Sequence, residues 1–270
     1  MTRITSSKQG LKFGDFVDGL PSEGRYTFTL EEASRKAAGS AIALQTAIRR
    51  MKQKGRLVSP RRGFYVIVPL EYRSTGAPPP SWFIDDLMRH MQRPYYVGLL
   101  SAAALHGAAH QQPQVFQVVT GQPMAPLTAG RARVEFFRRR SIERAATLKM
   151  TTPTGYISVS TPETTVFDLI RHVHAAGHLS NVATVLAELG EGIQPERLVE
   201  AASLASLPEI RRAGYLFQLV GREELAEALE KAAAAYWAKP SRLRPDVSDE
   251  GAPLDPRWSL YINEDVEPEL

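Results

Sequence analysis

The stretch SAIALQTAIRRMKQKGRLVSPRRGFYVIV, residues 40–68, decides the fold of the first part of the chain. Ser40 can accept a bond from the orphan N–H groups of a helix start, and Gly55 tolerates the left-handed conformation past a helix end. A helix is therefore expected over 41–54. At ~100° per residue, Leu44, Ile48 and Met51 align with Ala47 and Ala41 in one apolar stripe. The opposite face carries Thr46, Arg49, Arg50 and Gln53, with Ile42 among them and Gln45 on the flank. A helix that reads the major groove needs this division, one face buried to hold its pose and the other offering donors, acceptors and cations to base edges. Arg49 or Arg50 can grip a guanine through two bonds, and Ile42 can pack on a thymine methyl.

Downstream, Arg56-Leu57-Val58 and Phe64-Tyr65-Val66-Ile67-Val68 are β-prone runs around a turn holding Pro60, Arg61, Arg62 and Gly63. They predict a hairpin whose Arg61 and Arg62 meet phosphates or enter the minor groove. Upstream, Thr29 is placed to cap a helix over 30–38, with Glu31 and Glu32 at its positive end and Gly39 as the turn. Tyr26-Thr27-Phe28 is a short β segment, and 7–16 an opening helix stopped near Gly19 and Pro21. This order predicts a winged helix-turn-helix over 1–73. Its expected DNA contacts are Ser40, Ile42, Gln45, Thr46, Arg49, Arg50, Gln53, Arg56, Arg61 and Arg62.

Charge agrees with a polyanion partner. The net +4 conceals 13 Lys/Arg against 5 Asp/Glu in residues 1–70, and 7 against 2 in 131–149. Residues 241–270 run the other way, 3 against 8. The second basic cluster comprises Arg131, Arg133, Arg138, Arg139, Arg140 and Arg144. It reads as a solvated loop, an additional contact to the DNA backbone, or a protein-facing patch. There are no cysteines, so no disulfide, thiolate metal site or cysteine nucleophile. The first residues lack an unbroken apolar run, and no stretch approaches the ~20 apolar residues of a membrane span. A cytoplasmic protein without membrane partners is expected.

Residues 74–81, with Pro78-Pro79-Pro80, predict a stiff spacer that limits contact between two separable parts. Beyond it, 82–240 reads as a mixed α/β domain with a helical second half, strands being expected over 115–120, 134–138 and 156–159. A loose acidic, Pro-rich tail with a terminal strand follows over 241–270. The fold class is α+β.

Enzymatic signatures are missing. A nucleotidyltransferase needs Gly-Ser followed by paired aspartates for Mg²⁺, but Gly39-Ser40 has no aspartate after it and Asp85-Asp86 no Gly-Ser before it. Glu135-Phe136-Phe137 lacks the lysine of a nuclease Glu-x-Lys. His172, His174 and His178, or His106 and His110, have metal-ligand spacing but no acidic cluster nearby, so neither metal nor cofactor is expected. His106 reads as a polar contact at a helix end.

The chain resembles the AbiEi antitoxins of type IV (abortive-infection) toxin–antitoxin systems. The resemblance rests on the capped basic helix with Lys54-Gly55-Arg56-Leu57-Val58 and Arg62-Gly63-Phe64-Tyr65. It continues through the segment from Tyr95 to Gly107 and the strand ending in Val119-Thr120. It extends to the segment from Val159 to Leu169 and the terminal one from Pro256 to Asn263. It implies a transcriptional repressor of its own operon, binding duplex DNA at inverted repeats, whose second domain counters a nucleotidyltransferase toxin in phage defence. The alternative is a winged-helix regulator whose second domain senses a small ligand.

Overall fold

The computed structural model describes residues 11–108, 113–234 and 239–269. The fold is mixed α+β, with ten α-helices and three sheets among the described residues. Helix α1 (Phe13–Gly19) buries Phe13, Phe16 and Val17. It runs on to Gly19 because that stripe continues past 16; residues 7–10 of the expected opening helix lie outside the described residues. Strand β1 (Thr27–Thr29) leads into α2 (Leu30–Lys36), where the Thr29 hydroxyl accepts from the Glu32 N–H. Helix α3 (Ala41–Gln53) is capped by the Ser40 hydroxyl, which accepts from the Ala43 N–H. Strands β2 (Leu57–Arg61) and β3 (Phe64–Ile67) form the hairpin, and β1 pairs with β3 to give the order β1-β3-β2.

Next come α4 (Ile84–His90), β4 (Tyr95–Val97), α5 (Leu99–Leu105), β5 (Val115–Thr120), β6 (Leu127–Ala129), β7 (Ala132–Arg138), β8 (Thr147–Thr152) and β9 (Gly155–Ser160). The strands make one mixed sheet in the order β6-β7-β5-β4-β9-β8. Strands β4, β6 and β8 had no counterpart in the sequence reading, since β4 and β6 are too short to show alternation. Helices α6 (Pro162–Arg171), α7 (His178–Leu189), α8 (Pro195–Ala202), α9 (Leu207–Leu219) and α10 (Glu223–Ala234) supply the helical half. Short strands β10 (Ser241–Arg242), β11 (Leu254–Asp255) and β12 (Leu260–Tyr261) close the chain.

Alternation along the large sheet sends neighbouring residues to opposite faces. Tyr96 and Val119 pack with the helical half, whereas Val97 and Val118 face the other way with Val134 and Val159. That second face is covered by Phe83, Ile84, Leu87 and Met88 and by Phe64 and Val66 of β3. Ile67 and Tyr65, on the opposite side of β3, belong to the N-terminal core with Phe28, Leu44 and Ile48. Strand β3 is thus a wall common to two cores.

Residues 74–81 are therefore not a spacer that keeps the two parts apart. Ala77 and Pro78 are buried, and Pro80–Trp82 forms a 3-10 turn. The Arg131 N–H donates to the Thr75 carbonyl at 2.7 Å, and Gly130, at φ +55°, lies where a Cβ would strike that backbone. Further ties are the Thr27 hydroxyl donating to Asp86, and Trp82 edge-on to both Tyr26 and Tyr72. The tail is not loose either. Trp258 is 1% exposed, and Leu243 and Leu260 join it in the helical core. Prolines and acids cover the outside of this segment while Leu243, Trp258 and Leu260 are inserted.

Candidate functional site

Helix α3 divides largely as its periodicity predicts, although Ala41, at its first position, is exposed. Leu44 and Ile48 are buried against α1 and the hairpin. Ile42 is 79% exposed, and Ser40, Gln45, Arg49, Arg50 and Gln53 are exposed with it; Thr46 is half-buried. Ser40 already serves as the cap. Gln45, Arg49, Lys52 and Gln53 line a groove of about 370 Å³ between α3 and Tyr65 of the hairpin. The other predicted contacts are differently engaged. Arg56 is ion-paired with Asp18. Arg61 turns back to donate to the Ala125 carbonyl in the loop before β6. Arg62 is the exposed one.

The second basic cluster does not form one patch. Arg131 and Arg133 stand at the start of β7 and Arg138 at its end, and Arg133 lies roughly 17 Å from Arg138 along the strand. Arg133 pairs with Glu135 at 2.6 Å. Arg139 is only 7% exposed and its Nη1 donates to Asp168 Oδ1 at 3.0 Å and to the Tyr96 hydroxyl at 3.4 Å. It is a core residue, not a surface contact. The Arg139 N–H donates to the Thr120 carbonyl just past the end of β7, and its side chain is buried while Arg138 and Arg140 on either side are exposed.

Around Asp168 lies a buried polar chain that the sequence reading missed. The Tyr96 hydroxyl donates to Asp168 Oδ2 at 2.8 Å. Arg171 approaches Asp168 at 4.0 Å and donates through Nε and Nη2 to both oxygens of Glu209, at 2.8 and 2.9 Å. The Ser206 N–H also donates to Glu209, closing a capping box at the start of α9. Burial pushes the Asp168 carboxyl above its usual range against the pull of the Arg139 guanidinium. Burial also pushes up Tyr96. At Glu209 burial acts upward too, but the bonds from Arg171 and Ser206 outweigh it and hold the carboxyl low. The available signal was an aspartate inside the otherwise apolar run Val166-Phe167-Asp168-Leu169-Ile170, which demands a buried cation.

The histidines are dispersed. His106 Nε2 sits 2.7 Å from the Ser160 carbonyl at the end of α5, as expected of a polar helix-end contact. His172 packs on Phe137, while His174 meets His178 edge-on and lies 3.4 Å from Asp246. His110 lies outside the described residues.

Residues 96–219 match the family described as the AbiEi antitoxin C-terminal domain. No curated protein matches the chain. Among solved structures, the chain is similar to the RV2827C protein from Mycobacterium tuberculosis, with 18% identity over 94% of each chain and a TM-score of 0.67. At that identity the likeness shows the fold alone.

Proposed function

With residues 96–219 forming an AbiEi antitoxin C-terminal domain, we propose that this chain is a DNA-binding repressor of its own operon and the antitoxin to a nucleotidyltransferase toxin. The AbiEi antitoxins are not an enzyme family, and the proposed activities are both binding. The first 73 residues act as a winged helix-turn-helix with α3 in the major groove. The observation that carries this reading is the division of α3, with Leu44 and Ile48 buried while Ile42, Gln45, Arg49 and Gln53 stand free opposite. Such a face offers bidentate and apolar contacts to base edges, and duplex DNA with inverted repeats is the expected partner. No helix among the described residues is long and apolar enough to cross a membrane.

Gel-shift titration on the native promoter tests the first activity. Arg49→Ala and Arg50→Ala should each cost ~1–3 kcal/mol of affinity where a bidentate contact is lost, and relax sequence preference. Unchanged affinity and selectivity would place the recognition surface elsewhere. Co-expression with the nucleotidyltransferase encoded beside it tests the second. The full chain should restore growth, and the Arg49→Ala/Arg50→Ala variant should still do so.

A further inference from the structure

The end of β7, the turn that follows it and the start of α9 converge on a groove of about 450 Å³ walled by arginines. Arg139 and Arg171 stand at its base, each matched by a carboxylate, Asp168 and Glu209. Arg138, Arg140 and Arg144 are exposed at its rim, and their side chains form no ion pair or hydrogen bond among the described residues. The groove therefore keeps an excess of three positive charges. Glu143, on the same turn, is exposed and not part of the lining. The 13-residue helix α9 opens here behind Ser206, adding the positive end of its dipole. Leu204 and Ala205 give one short apolar wall.

Several guanidinium groups lining one groove suit the oxygens of a phosphate better than a single carboxylate. The volume falls in the range of small-molecule sites. A concave site of this kind accepts the end of a polyphosphate, whereas the backbone of a duplex presents a convex ridge. We propose that this groove binds a small ligand of the nucleoside polyphosphate class. Arg138, Arg140 and Arg144 hold the phosphates, and Leu204 and Ala205 support the sugar or base. Asp168 and Glu209 act as positioning residues by fixing Arg139 and Arg171. This stands apart from the operator reading, which concerns α3 and the hairpin.

Isothermal titration of the full chain with ATP and with pyrophosphate tests it. Wild-type protein should bind ATP saturably at one site, more tightly than pyrophosphate. Arg138→Ala/Arg140→Ala/Arg144→Ala should weaken this by roughly 10-fold or more, since losing one charge-assisted bond suffices for that. Its melting temperature without ligand should be unchanged, because the three side chains are exposed. Arg49→Ala/Arg50→Ala should bind ATP as the wild type does. No saturable binding would overturn the proposal, as would equal losses in the two variants, which indicate general attraction of polyanions. Tighter binding of pyrophosphate than ATP would overturn the nucleoside assignment. A triple variant that keeps ATP but loses operator DNA would reassign the groove to the DNA backbone.

Discussion

The Trp258 indole fills the space that a side chain at Gly214 would need. A Cβ built at position 214 falls far inside van der Waals contact with the ring. The ring N–H donates to Gln218 Oε1 at 2.7 Å, one turn further along α9, and Arg257 lies 5.2 Å over the ring. The terminal segment is thereby locked onto the helical core. Gly214→Ala should destabilise the protein by ~1–3 kcal/mol through overpacking. Urea unfolding would show a lower midpoint, and limited proteolysis would show earlier cleavage after residue 239. An unshifted midpoint would mean the indole has room to move.

Arg139 and Asp168 make a second testable pair. Arg139→Met removes the cation bonded to the buried Asp168 carboxylate, leaving only Arg171 at 4.0 Å, and should cost ~3–5 kcal/mol. Replacing the polar group as a whole, with Arg139→Met, Asp168→Leu and Tyr96→Phe together, should recover most of that loss. Equal costs for the single and triple variants would show that the arginine acts through packing alone.

His172 predicts a pH dependence. Burial, aided by the Arg171 charge, lowers its imidazole from 6.5 to about 4. Between those values the unfolded chain binds the proton and the folded chain does not. Its stabilising contribution is therefore full above pH 6.5 and lost as pH falls toward 4. His172→Gln should flatten the melting temperature across that window. Glu209, held below its ordinary value of 4.5, adds a further loss only at lower pH. Parallel pH curves for the variant and the wild type would contradict the assignment.

In binding to the proposed operator, the two hairpin arginines should separate. Arg62→Ala should reduce the magnitude of the slope of log K against log salt by ~0.9, the value for one phosphate contact. Arg61→Ala should leave that slope in place, because its guanidinium is already bonded to Ala125. The reverse result would mean that Arg61 swings out on binding.

Cutting the chain after Pro80 should harm both pieces, contrary to the expectation from the proline run. Residues 1–80 would expose Phe64, Val66 and Ala77, and residues 81–270 would lose that cover from Ile84 and Leu87. Calorimetry should give one transition for the whole chain and none of comparable sharpness for fragment 1–80. A sharp transition in the fragment would show that the N-terminal core suffices by itself.

Local rules were enough to recover the caps at Thr29 and Ser40, the two faces of α3, and the basic hairpin. Each depends on residues within a turn or two of one another, where hydrogen-bond reach and side-chain period act directly. Composition also showed where positive charge accumulates along the chain. It did not show which of those charges reach solvent. Arg138-Arg139-Arg140 is one run in sequence, yet its middle member is buried because Asp168 and Tyr96, 29 and 43 positions away, meet it across the sheet. Likewise the β-prone run 64–67 reveals alternation but not that both of its faces are covered. Burial of that kind is a property of distant elements brought together, and only the packing of α4 and the large sheet against β3 decides it.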